Sequence, residues 1–194
     1  MNVEDVKVFY KLLNHKQQTE IRLIDPAGVQ PPKSVFVNNE EEFIAICRQY
    51  EGKYNIYAGI NERVAGGTKR EDVIRVETIV IDIDPIRQSG NKDDPSTDEE
   101  LAKAREVAEQ IVARFKERGW VLPKLAMSGN GVQLYLKIPP QEITSENRDL
   151  IEKKLQMFQK GISQQFSNQY VHIDNIGDLP RIIKVIGTLS IKGK

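Results

Sequence analysis

The run Ile81-Asp82-Ile83-Asp84-Pro85 places two carboxylates two residues apart at the end of an otherwise apolar stretch. In a strand, side chains alternate faces, so Ile79, Ile81 and Ile83 point one way and Val80, Asp82 and Asp84 the other. Two carboxylates on one face of an apolar strand are costly unless something neutralises them. A divalent cation does this, and hard oxygen ligands suit magnesium or manganese. The bland alternative is that the strand has already ended and both aspartates are solvated ahead of Pro85. His172-Ile173-Asp174 repeats the spacing on a second apolar run. If the two strands meet, Asp174 joins Asp82 and Asp84. Three carboxylates can clamp two ions about 3.5–4 Å apart, the arrangement used for in-line phosphoryl transfer. His172 reads as a hydrogen-bonding residue of the strand face sooner than as a ligand, and His15 as a surface residue.

Two further features bear on phosphate chemistry. The turn Ser128-Gly129-Asn130-Gly131 offers backbone N–H groups and a hydroxyl, which can hold phosphate oxygens or simply close a hairpin. Beyond Asp178 the chain carries Arg181, Lys184, Lys192 and Lys194 and no acid. Such a tail is either a solvated surface or, near a carboxylate site, the cation supply that a triphosphate or nucleic-acid backbone requires. No Ser/Cys–His arrangement for a protein nucleophile is present. The single cysteine, Cys47, sits on the apolar stripe of a helix and excludes an internal disulfide or a Cys-rich metal site.

The elements that must position these residues follow from periodicity. Helices are expected over 3–13, from Asn38 or Asn39 to Gly52, over 98–118 with Ser96 and Glu99 as a capping box, and over 145–166. Strands are expected at 34–37, 55–61, 77–84, 124–128, 132–138, 170–174 and 181–190. From 77 onward the order is β-α-β-β-α-β, the split arrangement of ferredoxin-like and RNA-recognition folds. The first and last strands of that unit are expected to be its central pair. The fold class is therefore α+β: an RRM-like catalytic core over 77–194, with a small N-terminal α/β unit, 1–76, packed on it as one domain. The 194 residues are 39% hydrophobic, enough for a packed core, and 28 basic residues balance 28 acidic ones. Neutrality argues against a uniformly basic coat but not against a local basic groove. No apolar run is long enough to span a membrane and no signal-peptide core opens the chain, so a cytoplasmic location is expected.

Taken in order, these motifs resemble the archaeo-eukaryotic primase superfamily, specifically the primase-polymerase (PrimPol) catalytic domain. Its hydrophobic strand ending in Asp-x-Asp is matched by Asp82 and Asp84. Its Ser-Gly-x-Gly-x-His hairpin is matched by Ser128, Gly129, Asn130, Gly131 and then Gln133 in place of the histidine. Its third aspartate and spaced basic residues are matched by Asp174, Arg181, Lys184, Gly187, Thr188 and Lys192, with lysine at 184 where arginine is common and Ser190 where asparagine is common. Gly59-Ile60-Asn61-Glu62-Arg63-Val64 is similar to the Asn-x-Arg segment before the first motif.

The resemblance implies a template-dependent DNA primase/polymerase transferring nucleotides from (d)NTPs to a 3′-hydroxyl. Asp82, Asp84 and Asp174 would hold two Mg²⁺ or Mn²⁺ ions. Ser128, Gly129, Asn130, Gly131, Gln133, Lys184 and Lys192 would bind the nucleotide, with Asn61, Arg63, Arg70, His172 and Arg181 as weaker nucleotide or DNA candidates. Single-stranded template and primer are the implied partners, with no membrane partner. The small size and the Ser-Gly-Asn-Gly form are similar to primase-polymerases attached to CRISPR adaptation proteins, and the ending just after the third motif suggests a domain of a longer protein. Two other readings fit parts of the pattern. One is a non-catalytic module binding single-stranded nucleic acid on the same topology. The other is a glycosyltransferase using Asp-x-Asp to hold a sugar nucleotide, which leaves Asp174 and the basic tail without a role.

Overall fold

Helical and alternating stretches resolve, in the computed structural model, into four helices and nine strands over residues 1–192, the residues the structure describes. The first part comprises α1 (Val3–Leu13), β1 (Thr19–Ile24), β2 (Lys33–Val37), α2 (Glu40–Tyr50), β3 (Asn55–Gly59) and β4 (Glu62–Arg63). The second comprises β5 (Val73–Pro85), α3 (Asp98–Glu117), β6 (Lys124–Met127), β7 (Val132–Glu142), α4 (Arg148–Phe166), β8 (Val171–Ile173) and β9 (Ile182–Lys184). Lys194 of the basic tail lies outside the described residues.

The larger sheet is antiparallel, with β5 between β7 and β8, β6 outside β7, and β4 on the opening residues of β5. This is the split topology expected from the order of elements. The central pair, however, is β5 and β7, and β8 is an edge strand. The reason is length. The eleven residues of β7 run along most of β5, whereas the three residues of β8 cover only Ile83–Pro85. One face of this sheet is apolar. Ile81, Ile83, Val132, Leu134, Val171 and Ile173 pack under Ala104, Val107, Ile111 and Phe115 of α3 and Ile162 of α4. That face being taken, the alternate residues of the same strands are forced to the other side.

The second sheet has the order β2-β1-β3-β9, all antiparallel. Its Ile21, Leu23, Ile56 and Ala58 share a core with Phe9 and Leu13 of α1, Phe43 and Cys47 of α2, and Val80 and Tyr135 of the larger sheet. The N-terminal unit is thus packed on the inner face of the split sheet through one continuous apolar cluster.

Four local expectations change. β1 was not anticipated, although the alternation of Ile21 and Leu23 with Glu20 and Arg22 is a strand signature. The segment expected as a strand over 181–190 is one only at β9, and it pairs with β3 of the N-terminal sheet. The capping box of α3 is Thr97 with Glu100, one residue later than expected, because Ser96 bonds Asn130 with both its N–H and its hydroxyl. His15 is half-buried between Thr19 Oγ1 and the carbonyl of Ile60, and burial lowers its pKa to about 4.

Arg63 shows how tightly the two sheets are tied. Its side chain is 3% exposed, paired with the buried Glu20 of β1, and donates to the carbonyl of Pro180 at 2.8 Å. Removing one partner of a buried pair leaves an uncompensated charge. Arg63→Met is therefore expected to cost about 3 kcal/mol in urea unfolding. Near-wild-type stability would show that the guanidinium is not part of the framework.

Candidate metal and nucleotide site

Strand register assembles the three aspartates. Asp82 lies opposite Gln133 of β7, and Asp84 opposite His172 of β8. The chain leaving β8 keeps close to β5, with the N–H of Asp174 donating to the carbonyl of Asp82 at 3.2 Å. The result is a cluster in which one carboxylate oxygen from each of Asp82, Asp84 and Asp174 lies within 4.8 Å of the others. All three are half-buried.

Among the described residues no lysine or arginine forms an ion pair with the three aspartates. Burial, then the charges of Asp84 and Asp174, push the Asp82 carboxyl up to about 7. Asp84 is raised by burial and then by Asp174, against the opposing charges of Lys192 and Arg87. Asp84 and Asp174 thus disfavour ionisation of Asp82, and Asp174 that of Asp84, as expected of like charges sharing a partly dry site. Tyr57 of β3 faces this pair from the N-terminal sheet, and its phenol is raised by burial, then by Asp82 and Asp84. An all-oxygen donor set with this deficit of positive charge fits hard divalent ions. His172 Nε2 stands 3.1 Å from Asp174 Oδ1, with the His172 side chain exposed at the rim of the cluster.

The hairpin between β6 and β7 forms the next wall. Ser128 N–H donates to the carbonyl of Gly131 at 3.0 Å, closing the turn. Gly131 has no room for a side chain: a Cβ there would stand 2.5 Å from Asp84 Oδ1 and 2.8 Å from the carbonyl of Ile83. Gly129 has φ +98°, and a Cβ on it would meet Ser190 at 2.9 Å. Asn130 is buried and spends its side chain on the framework. Its Oδ1 accepts from Ser96 N–H at 3.0 Å, and its Nδ2 donates to Ser190 Oγ at 2.8 Å. One residue thereby joins the hairpin, the loop after β5 and the chain after β9.

Beside Asp84 opens a basin of about 280 Å³ lined by Arg87, Lys92 and Lys192. Arg87, buried at 8% exposure, clasps the carbonyls of Pro85, Asp94 and Asn130. Lys192 Nζ donates to the carbonyl of Lys92 at 3.2 Å, and neither lysine has an ion-pair partner among the described residues. A larger groove of about 780 Å³ starts at Ser128 and Gly129 and runs along α1 past Tyr135, Lys124 and Lys137.

The structure therefore brings together Asp82, Asp84, Asp174, His172, Gln133, Gly131 and Lys192. Arg181 acts on Asp82 through its charge while paired with Asp178 at 2.5 Å. Lys184 is held elsewhere: it is buried, bonded to Thr188, and lowered to about 8 by burial. Arg70 is paired with Asp149 and Glu152 of α4. Asn61 is buried and donates to the carbonyl of Leu179 at 2.8 Å. From sequence, Tyr135 and Tyr170 stand out only as candidate stacking rings of the nucleic-acid-binding alternative, and Tyr57, Arg87 and Lys92 do not stand out. The alternation along Gln133-Leu134-Tyr135, which puts Tyr135 on the face of Gln133, was readable. Tyr57, Arg87 and Lys92 carried no local signal.

A split sheet with acidic strand ends thus faces a second, smaller sheet. The fold is similar to that of the AEP domain of the cyanophage S-2L primase-polymerase, with a TM-score of 0.57 and 14% identity over 94% of this chain and 80% of that one. It is also similar to the polymerase domain of Mycobacterium tuberculosis ligase D in complex with DNA, with a TM-score of 0.55 and 15% identity over 96% of this chain and 74% of that one. No family model and no curated protein sequence matches the chain. Among the described residues no helix is long and apolar enough to cross a membrane.

The raised carboxyls make the sign of a pH effect definite. A folded pKa above the unfolded value means stability is lost as pH rises from about 4 through about 7, where the unfolded chain has ionised and the folded site resists. Without metal, the protein is expected to melt at a lower temperature at pH 8 than at pH 5.5 through this group, and Mn²⁺ to restore more at pH 8. Asp82→Asn should raise metal-free stability at pH 8 by on the order of 2 kcal/mol and abolish the Mn²⁺ effect. Calorimetry with and without Mn²⁺ reads both. Gly131→Ala is expected to weaken Mn²⁺ binding by roughly tenfold, since Asp84 must move to admit the methyl group.

Proposed function

We propose that the chain is a template-dependent nucleotidyltransferase of the primase-polymerase kind, extending a primer 3′-hydroxyl with (d)NTPs on single-stranded DNA. The observation that carries this reading is the convergence of Asp82, Asp84 and Asp174, from two distant stretches of sequence, at the edge of a basic basin. The shared architecture with primase-polymerase and ligase D polymerase domains supports it.

Asp82, Asp84 and Asp174 would hold two Mg²⁺ or Mn²⁺ ions. Bound there, divalent ions supply the Lewis acidity that favours a 3′-alkoxide and neutralises charge on the triphosphate and departing pyrophosphate. The chain's own groups do the rest. Lys92 and Lys192, without an ion-pair partner among the described residues, offer ammonium groups to the phosphates, and the buried Arg87 adds a positive charge behind them. Gly131 lets the hairpin backbone approach Asp84, and Ser128 offers its hydroxyl at the head of the long groove. Arg181, beside Asp82, adds positive charge on the opposite flank.

Alternative readings fit less of the geometry. A stacking module needs exposed aromatic rings on its central strands. Tyr135, on β7, is instead 2% exposed and edge-on to Phe9, and Tyr170 precedes β8. A sugar-nucleotide site built on Asp82 and Asp84 alone leaves the nearby Asp174 without a role.

The test is incorporation of labelled nucleotide on a homopolymeric single-stranded template with Mn²⁺, with and without primer. Metal-dependent product is expected from the wild type. Asp82→Asn should reduce it by on the order of 10³-fold, because several kcal/mol of charge stabilisation is lost with the site. Undiminished synthesis by the variant, or metal-independent binding of single strands with no incorporation, would overturn the reading.

A further inference from the structure

Behind Asp82 a short line of hydrogen bonds runs into the apolar interior. Gln133 and Tyr135 lie two residues apart on β7 and share its inner face, and each is 2% exposed. The Tyr135 hydroxyl donates to Gln133 Oε1 at 2.6 Å, and Gln133 Nε2 donates to Asp82 Oδ1 at 3.2 Å. The direction of this line follows from chemistry. An ionised carboxylate only accepts, so the NH₂ end of Gln133 faces Asp82, and its carbonyl end then requires a donor. Tyr135 is that donor. Burial and the nearby Asp82 charge raise its phenol well above its ordinary pKa, so it stays protonated. Its ring is held in turn by the edge of Phe9, with centroids 6.2 Å apart at 85°.

We infer that Tyr135 and Gln133 are positioning residues for Asp82, an amide relay anchored in the core that fixes the plane of one metal-binding carboxylate. This rests on reading the three aspartates as metal ligands. The torsion turning a carboxylate about its own axis is broad, so packing alone does not set it. A donor held at both ends does. The relay also explains why Gln133 can stand here at all. A buried amide needs partners at both ends, and both are present. With its carbonyl spent on Tyr135 and an N–H on Asp82, Gln133 acts on the carboxylate, and the phosphates are left to Ser128 and the basin lysines.

Mn²⁺ titration at pH 8, followed by electron paramagnetic resonance, tests the relay on the whole chain. Tyr135→Phe and Gln133→Leu are each expected to weaken Mn²⁺ binding by roughly tenfold, the usual scale for groups that orient a metal ligand. The double variant should bind no worse than Gln133→Leu alone, because both changes break one line. Thermal melts report any general loss of structure separately, and a structural role would move the melting temperature without this non-additivity. Wild-type-like Mn²⁺ affinity in both single variants, or additive losses in the double variant, would overturn the relay while leaving the metal site standing. A wild-type protein that takes up no Mn²⁺ at millimolar concentration would overturn the metal reading, and the relay with it.

Discussion

Three carboxylates held within 4.8 Å of one another, half out of water and without a lysine or arginine ion pair among the described residues, are the constraint on which the other features of this fold turn. Like charges at that distance repel, and together with burial they raise the cost of ionising Asp82 and Asp84. The arrangement persists because it is not local. Asp82 and Asp84 stand on a strand whose other face is sealed by two helices, so the strand cannot rotate to release them. Asp174 is tied back by its own N–H to the backbone of Asp82. Packing energy on one face of the sheet thus holds electrostatic strain on the other.

The surroundings are organised to keep that cluster open on one side and supported on the rest. Gly131 brings the hairpin backbone into van der Waals contact with Asp84, where any side chain would clash. Asn130 links the hairpin to the loop before α3 and to the chain after β9, tying together three segments around the site. The return of β9 to the N-terminal sheet matters for the same reason. It places Arg181 next to a strand of the N-terminal sheet, and the chain beyond it brings Lys192 to the basin beside Asp84.

Charged residues in this protein divide into those that serve the framework and those that face the site, and residue type does not separate them. Arg63 and Lys184 are both buried and both bonded internally, while Lys92 and Lys192 line the basin without an ion-pair partner among the described residues. A guanidinium near an acidic motif in sequence is as easily a rivet between sheets as a ligand for phosphate. Glu20 decides the matter for Arg63, and Glu20 lies on a strand whose alternating pattern is short and interrupted by no turn signal of its own.

What the sequence settled by itself were features that depend on neighbours along the chain: the alternation that puts Asp82 and Asp84 on one face, the glycine-rich turn, the apolar stripe of α3, and the split order of elements with its N-terminal elaboration. Local sterics and hydrophobic periodicity act over a few residues, so they can be read from a few residues. Which strands became central, the crossing of β9 to the other sheet, the capture of Arg63 by Glu20 and the line from Tyr135 through Gln133 to Asp82 all depend on contacts between segments far apart in the chain. Those were decided only when the two sheets closed over a common core, because a side chain's charge or hydrogen bond acquires its role from the partner that packing delivers.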